Sequence, residues 1–485
     1  MRNVLIFGSL VLAVAAAASY WQHRRPLEYG FENRGAKSPS FFRTIFPGIL
    51  PRQLVENHEV VVERALLIRD PKVVDDLDFD SDPSTSQGGP WTFANVFAQA
   101  INLGQSSAAS SSQIQMAADQ WSSDLTTKVS PDSDTFFQGG VKVLFEQWPA
   151  SSGHYPLNAV PLRLLAVVNR IDLAHSDTKM CPQPGQDMQG AEIRFVYQGI
   201  GPTENTDYLR LIVEFVAPCL SPLDLRGLGK SWMGLAAYAP SADRTYIAGL
   251  ETLLGTWIPK SSAARIRMIV QSPGLIGVWA SREYPFSNTG PVRSTLSQEL
   301  KLDFAACDLP ASDIGKFARS NTAQIIASHY TTPGSLQTQQ SAINASDLFV
   351  LTLLGDQALP ADQLDQVRHS LSINTCRGCH SRETSTAGFQ IGVRKRTYAS
   401  DLSAFLTGDP NCKRSTDTSL TSYCQVAESP LLYTPGGCSG MQAQPQSYND
   451  LLRRHEYLDK LLNSPRAGSI TWRKELSQFT AFQVD

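Results

Sequence analysis

The chain has 485 residues, of which 42% are hydrophobic and 18% are charged. This length and composition are typical of a globular protein of two or three domains with a sizeable core. The formal net charge is -3, so the chain carries no overall excess of basic residues. Because nucleic-acid-binding proteins normally show a basic imbalance, we do not expect a nucleic acid among the partners.

The first 21 residues have the composition of an export segment. Arg2 precedes an apolar run from Val4 to Ala18, and the small residues around Ala17 to Ser19 fit a signal-peptide cleavage site. The run continues into Trp21 and basic residues follow, so an uncleaved membrane anchor is the alternative. We therefore expect a periplasmic or secreted protein, or one held at the inner membrane by this segment. Residues 22–58 are rich in Pro and Gly and are predicted to be a linker.

Residues 59–312 are predicted to form an α+β domain, in which helices surround a mostly antiparallel sheet. Three successive segments between residues 162 and 216 alternate along the chain as strands do. Two further segments with a strand-like pattern are predicted at 264–271 and 277–284. Helical periodicity predicts helices at 91–103, 111–125, 133–147, 222–238 and 242–257.

The less apolar faces of the first three strands carry a balanced set of charges. Its members are Arg170, Arg194, Arg210, Asp172, Glu192 and Glu214. One interpretation is a polar pocket for a substrate or for haem propionates, with carboxylates available for acid or base chemistry. The other is a solvated sheet face with cross-strand ion pairs. The solvated face is the favoured interpretation from the sequence.

Residues 313–485 are predicted to be a mainly helical region with long loops. Helices are expected at 314–329 and 344–354, and another from residue 361 into a Cys-x-x-Cys-His run. Residues 384–447 are rich in Gly, Pro and Ser, which predicts loops. Leucines recur at helical spacing from Leu451 to Leu462, which predicts an amphipathic helix over 448–463.

The Cys-x-x-Cys-His run is the strongest chemical signal in the chain. It consists of Cys376, Cys379 and His380, around Arg377 and Gly378. Two thiols at this spacing can form thioether bonds to the two vinyl groups of one haem, while the histidine that follows coordinates the iron. On a helix the three side chains would share one face. The motif predicts one covalently held haem c, with His380 as the proximal iron ligand.

Two other kinds of site use the same cysteine spacing. The pair could close a redox-active disulfide or supply half of a zinc site, although neither a βαβ pattern nor further close ligands accompany it. Six cysteines remain outside the motif, an even number that could form three disulfides in an oxidising compartment. These six are Cys181, Cys219, Cys307, Cys412, Cys424 and Cys438.

The sixth iron ligand would decide the chemistry of a haem. Met441 is the first candidate, because a thioether opposite His380 would raise the reduction potential. His455 is the second candidate, and packing is the alternative role for each side chain. His369 lies about 16 Å from His380 along a continuous helix, too far to reach the same iron. His154 and His329 are remote in sequence. The basic run at Arg394 to Arg396 is predicted to be solvated, with haem propionates as its alternative partners.

Several short segments together resemble a group of uncharacterised exported bacterial proteins with a single Cys-x-x-Cys-His motif. The resemblance covers about residues 60–465. It implies that the motif belongs to a larger exported chain and not to a small cytochrome, and the group has no established activity. The group often has a histidine near the position of Gln390. The segments are Ile68 to Val74, Trp91 to Phe93, Val168 to Leu173, Glu192 to Val196, Asn374 to His380 with Glu383 and Thr384, Phe405 to Gly408, and Leu451 to Leu462.

The sequence therefore predicts an exported c-type haem protein that acts in electron transfer or in haem-dependent redox chemistry, with an unidentified redox partner. The alternative is a disulfide-stabilised secreted binding protein without haem. A hydrolase that uses the charged strand residues is the third hypothesis. No Ser-His-Asp elbow, His-Glu-x-x-His motif or phosphate-binding Gly-rich loop supports it.

Overall fold

The structure is a computed structural model, and its described residues lie between Val62 and Asn463. They all belong to one compact unit, Leu50–Asp485. The predicted signal segment and linker, residues 1–58, lie outside the described residues. The described ranges are 62–78, 89–103, 108–127, 134–150, 154–174, 191–201, 208–217, 220, 222–235, 244–260, 266–273, 279–294, 313–326, 330, 333, 335–336, 342–343, 361–373, 379–380, 384, 386, 388–394, 399–409, 431–433 and 446–463.

The described chain is built on an eight-stranded sheet in which every pair of neighbouring strands is antiparallel. Its strands are β1 (Leu67–Ile68), β2 (Leu162–Arg170), β3 (Glu192–Gly199), β4 (Arg210–Val216), β5 (Ile266–Pro273), β6 (Trp279–Ser287), β7 (Gly290–Pro291) and β8 (Ala342–Ile343). They lie in chain order from β1 to β7, and β8 also pairs with β6. Strands β9 (Leu431–Tyr433) and β10 (Gln446–Tyr448) form a separate antiparallel pair. The sheet and the helices around it confirm the predicted α+β class.

Helices precede, interrupt and follow the sheet strands along the chain. They are α1 (Pro71–Asp78), α2 (Phe93–Asn102), α3 (Ser111–Thr126), α4 (Asp134–Gln147), α5 (Pro222–Leu235), α6 (Arg244–Trp257), α7 (Asp313–Ser320), α8 (Thr322–Ile326), α9 (Ala361–Ser372), α10 (Ala404–Thr407) and α11 (Asp450–Asn463). The Thr92 hydroxyl caps α2, and Ser110 with Gln113 forms a capping box at the start of α3. Within the described residues, no helix is long and apolar enough to cross a membrane.

The larger hydrophobic core lies on one face of the sheet. Phe195 and Tyr197 of β3 pack there against Trp91 and Phe93, and Trp121 of α3 joins the same cluster. Residues two apart on a strand point to the same face, so the alternation in β3 sends these aromatic rings to one side. The rings are offset or edge-on to one another, as aromatic pairs in cores prefer.

A second core covers the opposite face of the sheet. Val168 of β2, Val196 of β3 and Ile212 of β4 pack there with Phe405 of α10 and Leu451 of α11. The covering residues come from the C-terminal part of the chain. The sheet is consequently buried on both faces, between the helices of the first core and the segments around α10 and α11.

Most predicted helices are confirmed, and one differs in its continuity. The helix predicted over 314–329 is divided at Asn321 into α7 and α8. The Asn321 amide donates to the Phe317 carbonyl, and the Thr322 hydroxyl donates to the Ala318 carbonyl. Polar side chains that bond to nearby carbonyls in this way compete with the helix backbone. The helix predicted at 344–354 lies outside the described residues.

Candidate functional site

Two of the three motif residues are described, and both are buried on the covered face of the sheet. Cys379 and His380 lie in a π-helical turn that follows α9. Cys379 belongs to the second core, together with Ile373, the residue just after α9. His380 is 4% exposed. Cys376 lies outside the described residues, so the expected common face of the three side chains remains a prediction.

The ring orientation of His380 is fixed by a backbone carbonyl. Its Nδ1 lies 3.0 Å from the carbonyl oxygen of Gly388. A carbonyl oxygen can only accept, so Nδ1 carries the proton and Nε2 carries the lone pair. Histidines that bind metals are commonly held this way, with one ring nitrogen donating to a carbonyl while the other faces the metal. Gly388 has a φ of +128°, which glycine adopts much more readily than other residues.

Burial also keeps the His380 ring neutral at physiological pH. Removal from water lowers the pKa of His380 to about 4, and the hydrogen bond to Gly388 opposes this effect only in part. A neutral imidazole is the form that binds a metal. The ring therefore has the protonation state and the tautomer that an iron ligand needs.

Gln390 holds the turn that carries the motif. Its Nε2 lies 2.9 Å from the Cys379 carbonyl oxygen and 3.2 Å from the Cys379 Sγ. Its Oε1 accepts hydrogen bonds from the Ser403 hydroxyl and from the Thr386 hydroxyl. The Thr384 hydroxyl donates to the same Cys379 carbonyl. Gln390 thus acts as a hydrogen-bonding bridge between the motif and the segment around Ser403.

Five of the six charged residues lie on one face of the sheet, and Asp172 lies in the short turn directly after β2. The expectation that this face is solvated is wrong. All six are buried, with at most 5% of each residue exposed. The second core covers them, because the segments around α10 and α11 pack over this side of the sheet. Buried charges need close partners, and two ion networks supply them.

The first network joins β2 to α11. Asp172 accepts hydrogen bonds from Arg170 and from Arg453, whose Nη2 lies 2.7 Å from Asp172 Oδ2. Asp450 pairs with both Arg453 and Arg454. Burial alone would raise the pKa of Asp172, but Arg170 and Arg453 outweigh it and hold that pKa well below its usual range. Arg453 and Arg454 likewise outweigh the effect of burial on Asp450 and hold its pKa below the ordinary value, so both aspartates are charged at neutral pH.

The second network crosses three neighbouring strands. Arg194 of β3 pairs with Glu192 and with Glu214 of β4, and Arg267 of β5 pairs with the same two glutamates. Glu214 has a pKa below its ordinary value, because these two arginines outweigh the effect of its burial. These two arginines and two glutamates form a structural ion network, and Arg170 of β2 also acts electrostatically on Glu214. This network gives no support to the hydrolase hypothesis.

The prediction of a solvated basic run is wrong at Arg394. That residue is buried, its guanidinium pairs with Asp75, and its backbone nitrogen donates to the Gln198 side chain. The partners come from α1 and β3, more than 190 positions away in the chain. Residues 395–398 lie outside the described residues.

Only some of the candidate distal ligands are among the described residues. Met441 and His329 lie outside the described residues. His455 is buried in α11, one turn after Leu451, which packs in the same core as Cys379. His369 is half-buried in α9 against Tyr448, and His154 lies exposed beside Asp119. In the part of the chain that is described, no group of three or more Asp, Glu, Cys or His side chains could hold a metal ion.

A cavity lies between the charged sheet face and the strand-like segment after the motif. Three arginines, Arg170, Arg210 and Arg454, line it together with Phe389 and Gln390. It therefore adjoins the motif, because Gln390 also contacts the Cys379 sulfur.

In comparisons with protein-family models, with curated proteins and with solved structures, the chain has no match. Three of the residues that shape the site were not singled out by sequence patterns: Gly388, which orients His380, and Phe389 and Arg454, which line the cavity. An isolated Gly in an irregular segment and an Arg in a leucine-rich helix carry no periodic signal.

Proposed function

We propose that this chain is an exported c-type haem protein that acts in electron transfer or in haem-dependent redox chemistry. Cys376 and Cys379 would hold one haem through thioether bonds, and His380 would bind its iron. The observation that most supports the proposal is the hydrogen bond from His380 Nδ1 to the Gly388 carbonyl oxygen. It leaves a neutral ring with its lone pair on Nε2, which is the donor that haem iron takes from histidine.

The residues around the motif fit this role. A bound haem c would supply an iron centre that changes its charge by one electron. The chain would contribute the two attachment sulfurs, the oriented imidazole and a surrounding that contains little water, since Cys379 and His380 are both buried. Gln390 would keep the turn in place through its bonds to the Cys379 carbonyl and to Ser403.

The sixth ligand separates electron transfer from small-molecule chemistry. Met441 or His455 as ligand favours electron transfer, because both iron positions would then be filled by the protein. An iron with an open sixth position binds and activates small ligands such as peroxide. Replacing Met441 by Ala and His455 by Ala in separate variants tests both candidates, because removing the true ligand changes the visible spectrum and the reduction potential.

Intact-mass spectrometry of denatured protein tests the attachment. The full chain is expressed in the periplasm together with haem-maturation machinery, and we expect the mass of one haem to remain after denaturation. Cys376→Ser combined with Cys379→Ser must abolish the added mass, whereas Cys307→Ser serves as the matched control and keeps it. A chain without added mass whose eight cysteines are all bridged would refute the haem attachment and favour the alternative, a disulfide-stabilised secreted binding protein.

A further inference from the structure

The carbonyl that orients His380 belongs to a short segment, residues 388–394, which lies outside the helices and strands. We call it the carrier segment. One edge of it pairs with the chain at Leu402 through a β-bridge at Ile391. A pairing this short is weak by itself, so further contacts must fix the position of the Gly388 carbonyl.

Arg210, the first residue of β4, contacts the carrier segment from the sheet. Its Nε and its Nη2 both donate to the Ile391 carbonyl oxygen, each at 3.3 Å. The same guanidinium lies over the Phe389 ring, with its central carbon 4.3 Å from the ring centre. Two donors on one oxygen and a planar face on an aromatic ring fix both position and direction, which the single ammonium group of a lysine does not do.

The strands beside Arg210 present neutral side chains to it. Its neighbours across the sheet are Gln198 of β3 and Gln271 of β5. Arg267 of β5, in contrast, lies opposite the carboxylate of Glu214. Burial lowers the pKa of Arg210 to about 9, so its guanidinium is still charged at neutral pH. The carrier segment thus receives a charged and rigid donor from a position where the adjacent strands carry uncharged amides.

Phe389 connects this contact to the proposed iron ligand. Its ring meets the His380 ring edge-on, with the ring centroids 6.4 Å apart and the planes at 85°. It also directly follows Gly388, whose carbonyl oxygen lies 3.0 Å from His380 Nδ1. Arg210, Phe389 and His380 are all buried. A displacement of the carrier segment would therefore move both groups that fix the imidazole.

We propose that Arg210 is a positioning residue for His380. It holds the carrier segment where the Gly388 carbonyl accepts from Nδ1, and this keeps the lone pair on Nε2. In the haem-loaded protein, where the inference rests on the proposed function, Arg210 also influences the reduction potential. A histidine whose second nitrogen donates to a carbonyl is a more basic ligand, and a more basic axial ligand stabilises ferric iron.

The ¹⁵N spectrum of the histidine rings tests the positioning on the full chain produced without haem. At neutral pH we expect His380, assigned by its loss in His380→Ala, to carry its proton on Nδ1. Arg210→Lys keeps the charge but loses the planar contact with two donors, so the His380 signals should move towards a mixture of both tautomers. Arg267→Lys is the matched control, because this arginine of the same sheet pairs with Glu192 and Glu214, and it should leave the tautomer unchanged.

Unchanged His380 signals in Arg210→Lys overturn the proposal. If that variant does not fold, Arg210→Met decides the matter. Methionine has no donor and no charge to bury, and it suits the neighbouring apolar side chain of Ile212. It too must mix the tautomers, and a His380 ring that keeps its proton on Nδ1 in this variant equally overturns the proposal.

The reduction potential of the haem-loaded protein separates positioning from charge. Loss of a positive charge near the iron lowers the potential, whereas a weaker hydrogen bond at Nδ1 raises it. Because Arg210→Lys keeps the charge, we expect its potential to be higher than that of the unchanged protein and of Arg267→Lys. An equal or lower potential overturns the effect on the iron. A chain that never acquires haem refutes the proposed function, while the tautomer of His380 still decides whether Arg210 positions the ring.

Discussion

Replacing Asp172 by Asn should destabilise the protein strongly, because Asp172 pairs with the buried Arg170 and the half-buried Arg453. Its side chain is fully buried and accepts bonds from Arg170 Nε at 3.1 Å and from Arg453 Nη2 at 2.7 Å. The amide of asparagine keeps the volume and removes the charge. Breaking a buried ion pair on one side typically costs about 3–5 kcal/mol, since the remaining charge stays buried without compensation.

Urea unfolding followed by tryptophan fluorescence measures the cost. Asp119→Asn is the matched control, because Asp119 Oδ2 also lies beside a basic side chain, 2.7 Å from His154 Nδ1, but there the side chains are 27% and 64% exposed. Exposed pairs of this kind contribute less than about 1 kcal/mol. If both variants lose the same small free energy of unfolding, the first ion network does not stabilise the fold as described.

Three further perturbations test the packing and the electrostatics. Gly140→Ala should lower the free energy of unfolding by about 1–3 kcal/mol, because a methyl group there would clash with Ser272 and with the Tyr208 backbone. Gly139→Ala is the control, because the methyl group has open space there and the change should be neutral or stabilising. Equal melting temperatures for the two variants would contradict this packing. Acidification should lower the melting temperature, because arginines hold the pKa values of the buried carboxyl groups below normal. The stability that these carboxylates contribute is complete above about pH 4 and is lost as the pH falls further. A melting temperature that stays constant from about pH 5 to about pH 3 would refute this stabilisation by the buried carboxylates. Gln390→Leu should lower the free energy of unfolding by about 1–3 kcal/mol, because the Ser403 and Thr386 hydroxyls and the Cys379 carbonyl lose their hydrogen-bond partner. An unchanged midpoint of urea unfolding would show that Gln390 does not hold the turn at Cys379.

The sheet could be predicted from the sequence because its signal is local. Alternation within β2, β3 and β4 places side chains on two faces, and that pattern needs no knowledge of the rest of the chain. What covers each face is a different question. Arg210 meets Ile391, 181 positions later, and Asp172 meets Arg453, 281 positions later. Periodicity contains no information on such contacts, so the charged face was wrongly expected to be solvated.

The candidate site, like the sheet, could be predicted from the sequence only where the signal is local. Cys379 and His380 were recognisable because thioether attachment demands a fixed spacing along the chain. Gly388 and Gln390 act on them from an irregular segment, where neither period nor spacing marks a residue. The distal ligand is harder still, since any Met or His that folding brings near the iron could serve, and Met441 lies outside the described residues.

The most direct test of the central claim is a visible spectrum of the purified full chain, oxidised and then reduced, after expression with haem-maturation machinery. The account predicts an intense Soret band that shifts on reduction and that stays with the polypeptide after denaturation. It also predicts that His380→Ala changes this spectrum, because the proximal ligand is lost. A chain that is folded and exported, yet shows no Soret band under these conditions, would contradict the claim that Cys376, Cys379 and His380 hold a haem.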